Sequence, residues 1–171
     1  MNTELQSSNP TAYQRILVAY DDSESARRAL DEAIAIARMT RASLRLMAVF
    51  DEYAHVSGFE PADYIVRELV PMARGRCDAM LHEACERAAA AGVDADTVLI
   101  DGDGLDIAPL VAAQAIAWPA DLVVAGTQGR QGVDRALLGS IAESILRRCP
   151  VPMLAVHAST IPAQSGARAG A

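Results

Sequence analysis

Ile16-Leu17-Val18-Ala19-Tyr20-Asp21-Asp22-Ser23 is an apolar run that breaks into acidic and hydroxyl side chains, and its counterpart Leu122-Val123-Val124-Ala125-Gly126 breaks into glycine. Neither run alternates. Continuous apolar character over strand length is expected where helices cover both faces of a parallel sheet; a sheet with one wet face would alternate. The first strand is expected at 15–20 and the fourth at 122–125. Further runs of strand length lie at 44–50, 97–100 and 151–156.

Between the first two runs, Ala26, Ala29, Leu30, Ala33, Ile34 and Ala37 recur at helical spacing and draw one apolar stripe. Asp22 or Ser23 is the natural N-cap of that helix. Ile65, Val66, Leu69, Met72, Met80, Leu81, Ala84 and Ala88 carry a second helical pattern to Gly92, which should stop it. Pro71 must kink this segment or begin its second part. Residues 105–117 and 139–148 supply the remaining helices, ended by Trp118-Pro119 and Cys149-Pro150. Strands and helices therefore alternate along the chain, which implies a parallel sheet with right-handed crossovers. The expected fold is a single-domain α/β doubly wound sandwich, a five-stranded parallel sheet with helices on both faces.

A chain of 171 residues is one domain long. With 51% hydrophobic residues but only 4% aromatic, the core must be built from Ala, Val, Ile and Leu. The domain is expected over 13–158, with mobile tails at 1–12 and 159–171, where polar and small residues run without periodicity. No apolar run approaches the ~18–20 residues that cross a bilayer, and the amino terminus lacks an apolar signal core. A cytoplasmic protein without a membrane partner is expected. Cys77, Cys85 and Cys149 are odd in number and lack C-x-x-C spacing, which fits packing residues in a reducing compartment. The net charge of −7 argues against a nucleic-acid partner, whose phosphates call for a basic face.

The chemistry lies after the fourth strand. Gly126-Thr127-Gln128-Gly129-Arg130-Gln131-Gly132 is followed by Gly139-Ser140 at the start of the last helix, in the pattern G-x2-G-x9-G-S. A bound phosphate needs main-chain N–H groups at hydrogen-bond distance, and a Cβ on the approaching residues obstructs them. Gly126, Gly129 and Gly139 remove that obstacle where a strand ends and a helix begins, and the helix dipole adds about half a positive charge. Thr127 and Ser140 can add hydroxyl donors. From spacing alone, the same glycines could serve ordinary turns.

Other signals are weaker. Asp101-Gly102-Asp103-Gly104-Leu105-Asp106 lacks the third acidic position and the final bidentate Glu of a calcium loop, so a turn and a helix cap are expected there. No G-x4-G-K-[ST] loop or G-x-S-x-G elbow is present. His55, His82 and His157 lack metal-ligand spacing and read as solvated or packing residues.

The residues from Arg15 to His157 resemble the ATP-binding members of the universal stress protein family. The carriers are Ile16-Leu17-Val18-Ala19-Tyr20-Asp21-Asp22-Ser23 and the Gly126-to-Ser140 signature followed by Ile141-Ala142-Glu143. The resemblance implies that Ala19, Tyr20 and Asp21 line the base and ribose end, with the backbone of Val49 holding adenine. It implies that Ala125, Gly126 and Gly129 wrap the ribose and phosphates, and that Gly139, Ser140, Ile141 and Ala142 hold the phosphate chain. All converge at the carboxyl ends of strands, where open α/β sheets place ligands. Charge assigns the two ends independently: a carboxylate beside a polyphosphate would be repelled, so Asp21 belongs at the sugar or base, and Arg130 belongs at the phosphates.

The expected ligand is ATP, with Mg2+ held through its phosphates. The last strand should be a sheet edge that pairs across a two-fold axis in a homodimer. Together these describe a nucleotide-responsive regulatory protein. Two other readings stay open: a slow ATP hydrolase or adenylate-transferring enzyme, with Mg2+ also held by Asp21 or Asp103, and a nucleotide-free interaction protein. Two positions depart from the family pattern: Tyr20 is bulkier than the usual residue and narrows the adenine end, and Ala142 stands where some members offer a hydroxyl.

Overall fold

The computed structural model describes residues 13–52, 61–102, 104–128 and 139–158. Five strands, β1 (Arg15–Ala19), β2 (Ser43–Phe50), β3 (Ala95–Asp101), β4 (Leu122–Gly126) and β5 (Met153–Val156), form one sheet in the order β3-β2-β1-β4-β5. Every pairing is parallel. From β1 the chain winds outward through β2 to β3, then returns to the other side of β1 with β4. The sheet therefore reverses direction between β1 and β4, the place where doubly wound sheets open a crevice.

Alternation of side chains along β1 explains its continuous apolar run. Ile16, Val18 and Tyr20 face one core with Leu30 and Leu81, while Leu17 faces another with Met47, Val111, Val123 and Ile145. Helix α1 (Glu24–Thr40) buries Ala26, Ala29, Leu30, Ala33, Ile34 and Ala37, the stripe expected from spacing, and packs over β1 and β4. Its N-cap is Ser23, which accepts from the N–H of Ala26 at 3.2 Å, and Arg41 closes it in the left-handed conformation. Helix α4 (Ile107–Ala117) is capped by Asp106 and lies with α5 (Ser140–Arg148) on the second face.

Pro71 begins the second part of this segment, one of the two expected outcomes. A short α2 (Ala62–Tyr64) runs through a π-helical turn (Ile65–Leu69) into α3 (Val70–Ala90), with Pro71 in the first turn of α3. The wider turn accommodates the residue that can donate no N–H, so helical backbone continues without a break. Gly92, at φ +77°, follows the end of α3, and Val93 donates back to the carbonyl of Ala88 at 3.1 Å. Strand β3 runs longer than its apolar centre because Ala95, Asp96 and Asp101 pair with β2 through the main chain. Strand β5 begins two residues later than expected, immediately after Pro152. The two tails lie outside the described residues.

Candidate functional site

At the carboxyl end of β1 the chain turns sharply into α1. Asp22 takes a positive φ of 62°, a conformation Asp tolerates better than most side chains, and pairs with Arg27 through two hydrogen bonds of 2.7 and 2.9 Å. Tyr20 turns its ring into the core shared by α1 and α3 and donates its hydroxyl to Asp22 at 3.1 Å. Its bulk is taken up there. Burial, with the neighbouring Asp22 carboxylate, pushes the Tyr20 phenol up to about 12.

Asp21 is half-buried, and its Oδ1 accepts from the Ser23 N–H at 3.1 Å and from the Ser23 hydroxyl at 2.6 Å. This local turn orients the carboxylate and presents the capping oxygen to α1 at once. Register sets Ala19 opposite Met47 of β2 on one side and opposite Ala125 of β4 on the other. Small side chains thus flank the reversal point. Val49, near the end of β2, is half-buried and packs on the second core.

The end of β4 meets the start of α1 closely. A Cβ on Gly126 would stand 2.8 Å from the N of Ala26 and overlap Ser25, so glycine here admits the first turn of α1. Sequence spacing assigned that absent side chain to phosphate approach; the space is filled by protein. Ser25, only 1% exposed, donates its hydroxyl to the carbonyl of Gln128, and the N–H of Gln128 returns to the Ser25 oxygen at 3.4 Å. Thr127 is equally buried; its hydroxyl meets His157 Nδ1 at 3.0 Å, and its N–H donates to Val156 at 2.8 Å. The Thr127 hydroxyl expected to serve a ligand is thus engaged by β5's end.

Gly139 donates its N–H to the carbonyl of Thr127 at 2.7 Å. As the N-cap of α5 it supplies no side-chain cap, and Ser140, Ile141 and Ala142 follow as the first helical residues. Their N–H groups have no partner within the helix. Ser140 and Ile141 are exposed and Ala142 is buried. The structure therefore gathers Asp21, Ala19, Ala125, Gly126 and the start of α5 at one end of the sheet. Gly129 and Arg130 lie outside the described residues, as do Asp103 and His55. Sequence reasoning missed Ser25 and Gln128, which nothing local marks, and read His157 as a solvated or packing residue.

A cavity of about 330 Å3 opens at the amino ends of the strands between Gln14, Ser43, Asp94, Asp96 and Trp118. Its Asp96 carboxylate is held by Arg45 at 2.7 Å, and Arg45 lies 4.8 Å over the Trp118 ring. At the other end of the sheet, Asp21 and the start of α5 are described residues that the sequence singled out. Among the described residues no group of three or more His, Cys, Asp or Glu could hold a metal ion, and no helix is long and apolar enough to cross a membrane.

Comparison with known proteins agrees with this fold. The model of the universal stress protein family matches residues 12–157. A Staphylococcus aureus (strain USA300) protein bearing the universal stress protein name is 33% identical over 152 residues, 88% of each chain. A universal stress protein solved in complex with cAMP is 29% identical, with a TM-score of 0.63 over 87% of this chain and all of that one (100%). The fold alone is shared with the universal stress protein UspA from Lactobacillus plantarum, at a TM-score of 0.70, 22% identity and coverage of 85% and 98%.

Proposed function

The chain belongs to the universal stress protein family, and from that premise we propose that it binds ATP in the crevice between β1 and β4 as a cytoplasmic, nucleotide-responsive regulatory homodimer. The observation that carries this reading is the start of α5, where a glycine N-cap without a side-chain cap precedes Ser140, Ile141 and Ala142 beside the sheet's reversal point. A helix start of this kind offers main-chain donors and a partial positive charge to an anion. A family member solved with cAMP supports an adenine nucleotide as the ligand.

The residues present fit that ligand. Asp21 would accept from the ribose hydroxyls or the base, flanked by Ala19, Tyr20 and the backbone of Val49. Ala125, Gly126 and Gly129 would surround the ribose and inner phosphates, and Gly139, Ser140, Ile141 and Ala142 would hold the phosphate chain with Arg130. Mg2+ would be held through those phosphates. The proposed dimer pairs β5, which stands at the sheet edge.

Two measurements test the reading. Ligand released from protein purified without added nucleotide should be ATP by mass spectrometry, and added ATP should raise the melting temperature, since mass action stabilises the folded state by about 2.7 kcal/mol at a hundredfold excess over Kd. ADP or AMP in the released fraction would favour the hydrolase. No released nucleotide and no thermal response to ATP would overturn the binding role.

A further inference from the structure

Strand β2 runs past the end of β1. The last rung between them sets Ala19 opposite Met47, and the Tyr20 N–H closes it on the Met47 carbonyl at 2.8 Å. Pairing with β3 continues to Phe50 opposite Asp101, where the Gly102 N–H bonds the Phe50 carbonyl at 2.7 Å. Both main-chain polar groups of a strand residue point to the same side, and successive residues alternate sides. Met47 faces β1 and Phe50 faces β3, so Val49 turns its N–H and C=O toward β1, which has already ended. Among the described residues nothing pairs with either group. A half-buried donor and acceptor of this kind call for a partner.

Strand β3 alone therefore steers the end of β2, and the contact is close. A Cβ on the buried Gly102 would stand 2.8 Å from Val49 Cγ1 and 3.3 Å from the Phe50 carbonyl oxygen. Valine is branched at Cβ and stiff about χ1, and Val49 packs on the core of Leu17, Met47 and Val111. Its side chain cannot swing clear without moving the strand.

We propose that Gly102 is a positioning residue for the base end of the nucleotide site, acting through the main chain of Val49. The inference rests on the nucleotide-binding reading above. One N–H beside one C=O suits the adenine edge, which offers N1 as acceptor and its N6 amino group as donor; inosine, with N1–H and O6, reverses both. A site built on such a pair rejects the reversed base because its own groups stay unpaired. A Cβ at position 102 tilts the Val49 main chain off the base, so base preference is lost while the contacts to the sugar and phosphates keep their places.

The test titrates ATP, adenosine and inosine by isothermal titration calorimetry into the full chain, Gly102→Ala, Val49→Ala and the double variant, each checked for folding by circular dichroism. Val49→Ala keeps the main chain and should bind adenosine like the parent. Folded Gly102→Ala should bind adenosine and ATP about tenfold more weakly with inosine unchanged, so that the preference for adenosine collapses. Removing the Val49 methyls should restore it, the double variant binding adenosine within about threefold of Val49→Ala. Where Gly102→Ala alone does not fold, the double variant decides. Unchanged base preference in folded Gly102→Ala, or a folded double variant still about tenfold weaker than Val49→Ala, overturns the positioning role and leaves the binding reading intact. A parent chain that binds neither adenosine nor ATP removes the binding reading and this role together.

Discussion

The main-chain N–H of Gly139 and the carbonyl of Thr127 meet at 2.7 Å, and a Cβ built on Gly139 would stand 2.7 Å from that same oxygen. Glycine here lets the start of α5 seat against the end of β4. Gly139→Ala must separate them, at about 1–3 kcal/mol for overpacking. Thermal unfolding should show that loss, and the ATP-induced rise in melting temperature should disappear with it. An alanine variant of unchanged stability and ATP response would contradict the packing.

Asp21→Asn keeps an oxygen for Ser23 to donate to but removes the charge. A hydrogen bond to a charged group contributes about 1.5–3 kcal/mol, so affinity for ATP and for adenosine should fall together, by about ten- to a hundredfold. Calorimetry on both ligands decides it. A loss confined to ATP would place Asp21 at the wrong end of the ligand.

Ser23 caps α1 and bonds Asp21 with the same oxygen. Ser23→Ala should cost about 0.5–2 kcal/mol in urea denaturation, with the slope of the transition unchanged. Ser23→Asp, which retains a capping acceptor but faces the Asp21 carboxylate, should recover little of it.

How much of this was legible beforehand follows from which residues carry it. The continuous runs in β1 and β4 betray burial on both faces, and the Ala and Leu stripe of α1 betrays its core side, because side-chain chemistry alone records those facts. Pro71 announces only a missing donor, and a π-helical turn is one of several ways to absorb it. Ends of β3 are invisible because Asp96 and Asp101 pair through backbone while their side chains bond arginines. At the site, Asp21 and the glycines stood out by type. The neighbours of Gly126 did not: Ser25 and Ala26 arrive from a hundred residues away, and nothing local marks that approach. Tyr20 misled by size, since bulk says nothing about which face of the sheet receives the ring.

Tyr20 gives an alkaline signature. Its proton leaves near 10.0 in an unfolded chain but at about 12 in the folded one. The stability it contributes is complete below the first value and lost as pH climbs through the second. Tyr20→Phe should therefore lose less stability than the parent between pH of about 8 and about 11, measured by chemical denaturation. Parallel losses in the two proteins would show the phenol is not the responsible group.

Among the described residues strand β5 pairs only with β4, and Ala155 on it is exposed. If this edge joins two copies, Ala155→Lys should convert a dimer to a monomer in analytical ultracentrifugation, since charge on an edge opposes pairing. A parent chain that sediments as a monomer at high concentration would refute the assembly.

The sheet order has a consequence for biosynthesis. Strand β1 is the middle one, flanked by β2, which follows it early, and by β4, which is translated only after β3. Throughout that interval one margin of β1 stays open, and Ser23 and Ser25 at the start of α1 wait for a carbonyl not yet made. A nascent chain halted before Leu122 is therefore a half-sheet with an open border, of the kind that pairs with other chains.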